Sequence, residues 1–145
     1  MSTAGHFLIV EARFYEDIAD ALLAGATARL EAAGASFDRV SVPGAFEIPA
    51  AIAFAVNSNK AYDGYIALGC VIRGQTTHYS YICNESARGL QDLAIRHGLA
   101  IGYGILTVEN QEQAWLRADR SHGDKGGGAA KTAMDMLAVK RRFQQ

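Results

Sequence analysis

Four short apolar stretches alternate with helix-like segments along the 145-residue chain. That alternation predicts an α/β fold, an open four-stranded parallel sheet covered by helices on both faces. The first and third stretches are continuous apolar runs, as strands buried on both faces require. The intervening segments change to a helical period, and glycine or proline marks the short breaks between elements.

The elements follow in order. His6 to Glu11 is rich in β-formers and reads as the first strand. From 16 to 33, Ile18, Leu22, Ala26 and Leu30 recur every four residues with Leu23 beside them, an amphipathic helix stopped by Gly34. Phe37 to Val42 is the second strand, broken by Pro43-Gly44. Ala45 to Val56 reads as a short, Ala-rich, largely buried helix. Tyr65 to Ile72 is the third and most apolar strand. The polar loop Arg73-Gly74-Gln75-Thr76-Thr77 leads into a helix from about Tyr79 to His97, closed by Gly98. Leu99 to Leu106 is the fourth strand. Asn110 with Gln113 predicts a capping box for a helix to about Arg117. After the polar break Asp119 to Lys125, a last helix from Gly127 to Arg141 is expected to bury Ala130, Ala133 and Leu137.

Composition narrows the function. Apolar residues make up 50% and charged residues 20%, as in an ordinary globular chain. Fourteen Lys and Arg against fifteen Asp and Glu leave a net charge of −1, which provides no general attraction to nucleic acid. The start, Met1 to His6, lacks the basic and long apolar run of a signal peptide, and no stretch is long enough to be a membrane helix. Cys70 and Cys83 form no CxxC, so neither a disulfide framework nor a zinc site is indicated. A cytoplasmic, metal-free single domain over residues 1–145 is expected, with residues 1–5 arm-like or disordered.

In an open parallel sheet, ligands sit at the C-terminal ends of the strands. The segments to inspect are 12–15, 43–47, 70–78 and 107–110. A dinucleotide site would need GxGxxG after the first strand, where Ala12-Arg13-Phe14-Tyr15 stands, and the one GxG, Gly102-Tyr103-Gly104, lies within a strand. There is no GxxxxGK[ST], no receiver-type aspartate after the third strand, and no Ser/Thr-rich flavin phosphate loop after the first. Nucleotide-driven chemistry is unsupported.

The loop after the third strand carries the most chemistry. Backbone N–H groups of 74–77, at the mouth of a helix, can converge on an anion, and Arg73 adds charge unless its side chain points elsewhere. His78 stands beside them, a side-chain type that gives and takes protons near neutral pH, or else a simple cap. Glu47 complements a helix dipole or faces a ligand. Phe14 is a stacking platform or core. Gly126-Gly127-Gly128 after Lys125 allow close backbone approach or merely begin the last helix.

Together, 42–49 (Val-Pro-Gly-Ala-Phe-Glu-Ile-Pro), 69–79 (Gly-Cys-Val-Ile-Arg-Gly-Gln-Thr-Thr-His-Tyr) and 104–110 (Gly-Ile-Leu-Thr-Val-Glu-Asn) closely resemble the lumazine synthase family. Ala12-Arg13-Phe14 and Lys125-Gly126 add to the resemblance, which spans about residues 6 to 142 in the family's order and spacing. It implies a flavodoxin-like three-layer αβα sandwich with a four-stranded parallel sheet. It also implies a transferase of riboflavin biosynthesis that condenses 5-amino-6-(D-ribitylamino)uracil with 3,4-dihydroxy-2-butanone 4-phosphate, without metal or organic cofactor. The expected partners are these two small molecules and further copies of the chain, as a homopentamer with active sites between neighbouring subunits. Some members build sixty-subunit shells. Here 119–124 (Asp-Arg-Ser-His-Gly-Asp) lacks the Lys-Ala-Gly-Asn wording common in them, which favours a free pentamer or a decamer.

By the same resemblance, His78 is the proton donor. Phe14 stacks on the pyrimidine, Ala45, Phe46 and Glu47 hold the ribitylaminouracil, and Cys70, Val71 and Ile72 meet it largely through backbone. Gln75 and Thr76 bind the butanone phosphate. Tyr103, Arg117 and Lys125 come from the adjacent subunit, to the pyrimidine, the phosphate and the ring's polar edge respectively. Cys70 and Tyr103 depart from the commoner Thr or Ala and Phe, and the Tyr103 hydroxyl must find a partner. A rival reading keeps the fold and pocket for binding a lumazine or flavin without turnover. A second, an unrelated flavodoxin-like regulatory module, would make both long motifs coincidence.

Overall fold

The computed structural model describes residues 4–145. Its elements are β1 (His6–Ala12), α1 (Glu16–Ala32), β2 (Ser36–Val42), a 3-10 turn (Ala45–Glu47), α2 (Ile48–Val56), β3 (Gly64–Ile72), α3 (His78–His97), β4 (Ile101–Val108), α4 (Gln111–Ala118) and α5 (Lys125–Arg142). The four strands form one parallel sheet in the order β2-β1-β3-β4, as the α/β reading expects. From β1 the chain steps outward to β2, then returns across β1 to β3 and β4. The crevice between the ends of β1 and β3 is therefore the switch point at which such sheets bind ligands.

Alternation along β1 sets the layers. Phe7 and Ile9 face α1, α4 and α5, while Leu8, Val10 and Ala12 face the 3-10 turn, α2 and α3. The four-residue repeat of α1 is buried as its period demands: Ile18, Leu22, Ala26 and Leu30 are all excluded from water. Each such leucine contributes roughly 1.5–3 kcal/mol by leaving solvent. Small residues bring α5 close to the sheet and to α1. A Cβ on Gly102 would stand 1.9 Å from the Ala129 carbonyl oxygen, and one on Gly126 would stand 2.0 Å from that of Leu22. Of the glycine run after Lys125, Gly126 thus serves close approach to α1, and Ala130, Ala133 and Leu137 are buried as expected.

Several boundaries and one cap differ from the sequence reading, and β4 runs on to Val108 rather than ending at Leu106. The segment from Ala45 divides into a 3-10 turn and α2, in which Ile48 and Ile52 are buried but Phe54 is 74% exposed. The fourth strand begins at Ile101 rather than Leu99, because Gly98 closes α3 in the left-handed region and the Leu99 N–H donates back to the Ala94 carbonyl (3.1 Å). The α4 cap is only half the expected box. Asn110 Oδ1 accepts from the Gln113 N–H (2.9 Å), but Gln113 Oε1 accepts from the Glu109 N–H (2.8 Å), one residue earlier. Helix α5 begins at Lys125, with Asp124 capping it from a positive φ of 46°.

Of the expected N-terminal arm, residues 1–3 lie outside the described residues. Gly5 is buried and its carbonyl accepts from the Ser36 N–H (3.1 Å).

Candidate active site

A pocket of about 710 Å³ opens at the β1–β3 switch point. Phe14 and Tyr15 enter from the β1–α1 turn, Ala45, Phe46 and Glu47 from the 3-10 turn, and Cys70, Val71 and Ile72 from the end of β3. His78, the first residue of α3, completes the rim. Eight of the thirteen sequence-selected residues therefore meet in one cavity. Phe14 is 74% exposed and touches Tyr15 edge to face, with ring centroids 4.9 Å apart at 77°. Phe46 is half exposed. Both aromatic faces are available to a planar ligand.

Beside the pocket lies the 73–77 loop. Thr77 makes no side-chain cap, so first-turn N–H groups of α3 remain directed outward at the positive end of a twenty-residue helix. Two of them are engaged: the His78 N–H donates to Thr76 Oγ1 (3.3 Å) and the Ser80 N–H to the Thr77 carbonyl (3.0 Å). Gln75 and Thr76 are exposed here. Arg73 does not supply the loose positive charge considered from the sequence. Its Nε donates to both carboxylate oxygens of Glu109 (3.0 and 2.9 Å), and its guanidinium lies 4.3 Å over the Tyr79 ring. Its N–H also donates to the Val108 carbonyl, so Arg73 ties the base of the loop to the end of β4.

Two weak acids in the pocket's walls, a thiol and a phenol, are held toward their neutral forms. Burial pushes the Cys70 thiol up to about 11, and burial followed by the nearby Cys70 raises the Tyr15 phenol. Thiolate chemistry at Cys70 is thereby suppressed at neutral pH. Among the described residues no group of three or more His, Cys, Asp and Glu could hold a metal ion, and no helix is long and apolar enough to cross a membrane.

Tyr103, Arg117 and Lys125 lie elsewhere, on β4, the last turn of α4 and the start of α5. Tyr103 lines a separate groove of about 550 Å³ against α3, with Leu90, Ala94 and Met136. Burial raises its phenol, an effect partly offset by the nearby Ser86 hydroxyl. Arg117 donates to the Gln113 carbonyl of its own helix (3.1 Å) and is otherwise directed to solvent.

Sequence reasoning overlooked Tyr81 and Ile82 as pocket walls, whereas Tyr15, Pro43 and Gly44 lie within the strand-end segments it marked for inspection. The signal was available, since Tyr81 and Ile82 stand three and four residues beyond His78 and so share its helix face.

The family model described as 6,7-dimethyl-8-ribityllumazine synthase matches residues 4–141. The chain belongs to that family. Curated lumazine synthase relatives agree across almost the whole length. One from Bartonella tribocorum is 60% identical, covering 95% of this chain and 91% of the relative. Another, 6,7-dimethyl-8-ribityllumazine synthase 1 of Rhizobium meliloti, is 60% identical over 95% of this chain and 93% of its own. A third, from Agrobacterium fabrum, is 58% identical over 95% and 96%. The four-stranded, three-layer architecture agrees with the fold that the lumazine synthase resemblance implied.

Proposed function

We propose that this chain is a lumazine synthase. It condenses 5-amino-6-(D-ribitylamino)uracil with 3,4-dihydroxy-2-butanone 4-phosphate to 6,7-dimethyl-8-ribityllumazine, phosphate and water, the penultimate step of riboflavin biosynthesis. The observation that carries the reading is the switch-point pocket. Aromatic Phe14 and Phe46, the carboxylate of Glu47 and the imidazole of His78 line it, and the uncapped N-terminus of α3 stands next to it.

In this reading Phe14 stacks on the pyrimidine, and Ala45, Phe46 and Glu47 take the ribityl side, with Glu47 accepting from hydroxyls. Backbone of Cys70 to Ile72 meets the ring. Gln75 and Thr76, with outward amides, hold the phosphate. An aryl amine attacks a ketone and water leaves, phosphate is eliminated, and the ribityl-bearing amine closes the ring on the remaining carbonyl with loss of a second water. Each step moves a proton, which His78 relays. The departing phosphate develops charge, which Arg117 and the loop amides stabilise. Holding two substrates in reacting geometry is worth up to ~7–11 kcal/mol in well-oriented systems. The chemistry calls for no metal or organic cofactor.

Tyr103, Arg117 and Lys125 serve a neighbouring copy's pocket in a homopentamer, either free or paired as a decamer, in the cytoplasm. Their position outside the chain's own pocket supports that assignment. Arg117→Ala is expected to lower kcat/KM by roughly 10²–10³-fold, the usual cost of losing a charge-stabilising group. His78→Ala is expected to cost less, because His78 is exposed and water can take over its relay. Near-normal turnover and near-normal butanone phosphate affinity in Arg117→Ala would overturn this ordering.

The decisive experiment mixes purified protein with both substrates and follows the lumazine chromophore against a no-enzyme control. Formation well above the control is expected. Folded protein that binds a lumazine or flavin but gives no excess would instead establish a binding protein.

A further inference from the structure

The β1–α1 turn contains an ion cluster that neither the substrates nor the subunit contacts proposed above require. Glu11, at the end of β1, is only 1% exposed, although it carries a carboxylate. Its two oxygens are taken by two arginines. Arg13 donates to Oε1 at 2.6 Å, and Arg39 of β2 donates to Oε2 at 2.8 Å. Arg13, itself 19% exposed, reaches forward as well. A second guanidinium nitrogen donates to Glu16 (3.1 Å) and to Asp20, in the first two turns of α1.

The Arg13 side chain therefore spans the turn. One end of its planar fork is fastened to the sheet and the other to the helix, a geometry that lysine cannot copy. Glu11 is an anchor fixed by a second strand, and removing either arginine would leave a buried carboxylate underpaired. The residue inside this bracket is Phe14. Its ring is mostly in solvent and meets the edge of Tyr15, so packing within the chain does little to hold it. Its place over the pocket has to come from the backbone that carries it.

We propose that Arg13, held by Glu11, Glu16 and Asp20, is a positioning residue that sets the Phe14 platform for the pyrimidine substrate. The proposal rests on the lumazine synthase reading. It assigns Arg13 no contact with either substrate. Its effect is confined to the pyrimidine half of the site, since the phosphate loop is tied separately through Arg73 and Glu109.

The test uses the full-length protein in its native assembly. KM for each substrate is measured with the other saturating, for wild type, Arg13→Gln, Arg13→Lys, Phe14→Ala and the Arg13→Gln/Phe14→Ala double variant. Arg13→Gln is expected to raise the pyrimidine KM about tenfold, within the range of coupling between contacting residues. The butanone phosphate KM should change less than about twofold, and Arg13→Lys should recover part of the loss. On the Phe14→Ala background, Arg13→Gln should have no further effect on the pyrimidine KM. Equal change in both KM values, or full additivity with Phe14→Ala, would overturn the proposal. If Arg13→Gln does not fold, Glu16→Gln/Asp20→Asn loosens only the exposed anchors. It should shift the pyrimidine KM in the same direction, and no shift would overturn the proposal. A wild-type chain that makes no lumazine would overturn the reading beneath it and the proposal together. An active wild type with an unmoved pyrimidine KM in folded Arg13→Gln would overturn the proposal alone.

Discussion

The two faces of the sheet are built to different standards. On one, α1, α4 and α5 close over Phe7, Ile9, Ile66 and Leu68 with glycine and alanine at the contacts, leaving no room for a further methyl at Gly102 or Gly126. On the other, α3 buries only Ser86 and Leu90 along its length, and Phe54, Tyr81 and Ile95 stand in solvent. The pocket lies at one end of that open layer, and the Tyr103 groove lies against the same helix. The closed layer supplies stability to one chain. The open layer presents surface for ligands and, in the pentameric reading, for further copies of the chain.

One added carbon should be enough to disrupt the closed layer. Gly102→Ala places a Cβ against the Ala129 backbone, where no side chain can turn aside. Overpacking usually costs ~1–3 kcal/mol and more when backbone must move, so a loss at or above the top of that range is expected. Denaturant unfolding would measure it, and a variant as stable as wild type would mean that the closed layer has slack.

The open layer should respond differently. Phe54→Asp removes an aromatic that is 74% exposed and touches little of its own chain. The single-chain fold is expected to survive, with stability changed within about 0.5 kcal/mol as at ordinary surface sites. Association is expected to weaken, read by light scattering at several protein concentrations. An unaltered assembly would remove Phe54 from the contacts between copies. A collapsed fold would show that the open layer carries more of the chain's stability than its exposure suggests.

The same contrast explains what could be read from the sequence. The closed layer was legible because its evidence is periodic: Ile18, Leu22, Ala26 and Leu30 announce a buried stripe without any partner being known. The pocket residues were legible through motif resemblance and strand-end position, and eight of them share a cavity. What escaped depends on pairs distant in sequence. Glu11 looks like the tail of an apolar strand until Arg39, twenty-eight residues on, is laid beside it by β-pairing. Arg73 was ambiguous because its partner, Glu109, is thirty-six residues away. The start of β4 was misplaced for a local reason, since Leu99 is apolar enough for a strand but its N–H is used to close α3.

Within the closed layer one glycine, Gly128, is an exception. A Cβ on Gly128 would meet nothing within 4 Å, and the residue sits in the first turns of α5 without a positive φ. Gly128→Ala is therefore expected to stabilise the protein by ~0.5–1 kcal/mol, by restricting the unfolded chain and improving helix propensity. A thermal melt would detect the rise. A fall would mean that this stretch of α5 is strained in a way the open space around Gly128 does not reveal.

The smallest expected effect lies at the far end of the sheet from the pocket, where β1 and β2 begin. The Tyr62 hydroxyl donates to Asp38 Oδ2 at 2.7 Å, and His6 stacks on the Tyr62 ring with centroids 5.3 Å apart. The hydrogen bond from Tyr62, with help from His6, holds the Asp38 carboxyl below its ordinary range, and the same bond from Asp38 pushes Tyr62 up to about 12. The two shifts bound one pH window. A depressed carboxyl contributes stability that is present above its unfolded pKa, near ~3.9, and is lost as pH falls through the folded value. A raised phenol contributes stability that is present below its unfolded pKa, near ~10, and is lost as pH rises through about 12. The melting-temperature gap between wild type and Tyr62→Phe should therefore be level from about pH 5 to 9 and shrink on both sides of that range. A gap that stays constant into acid and alkali would assign the difference to ring packing rather than to the Asp38 hydrogen bond.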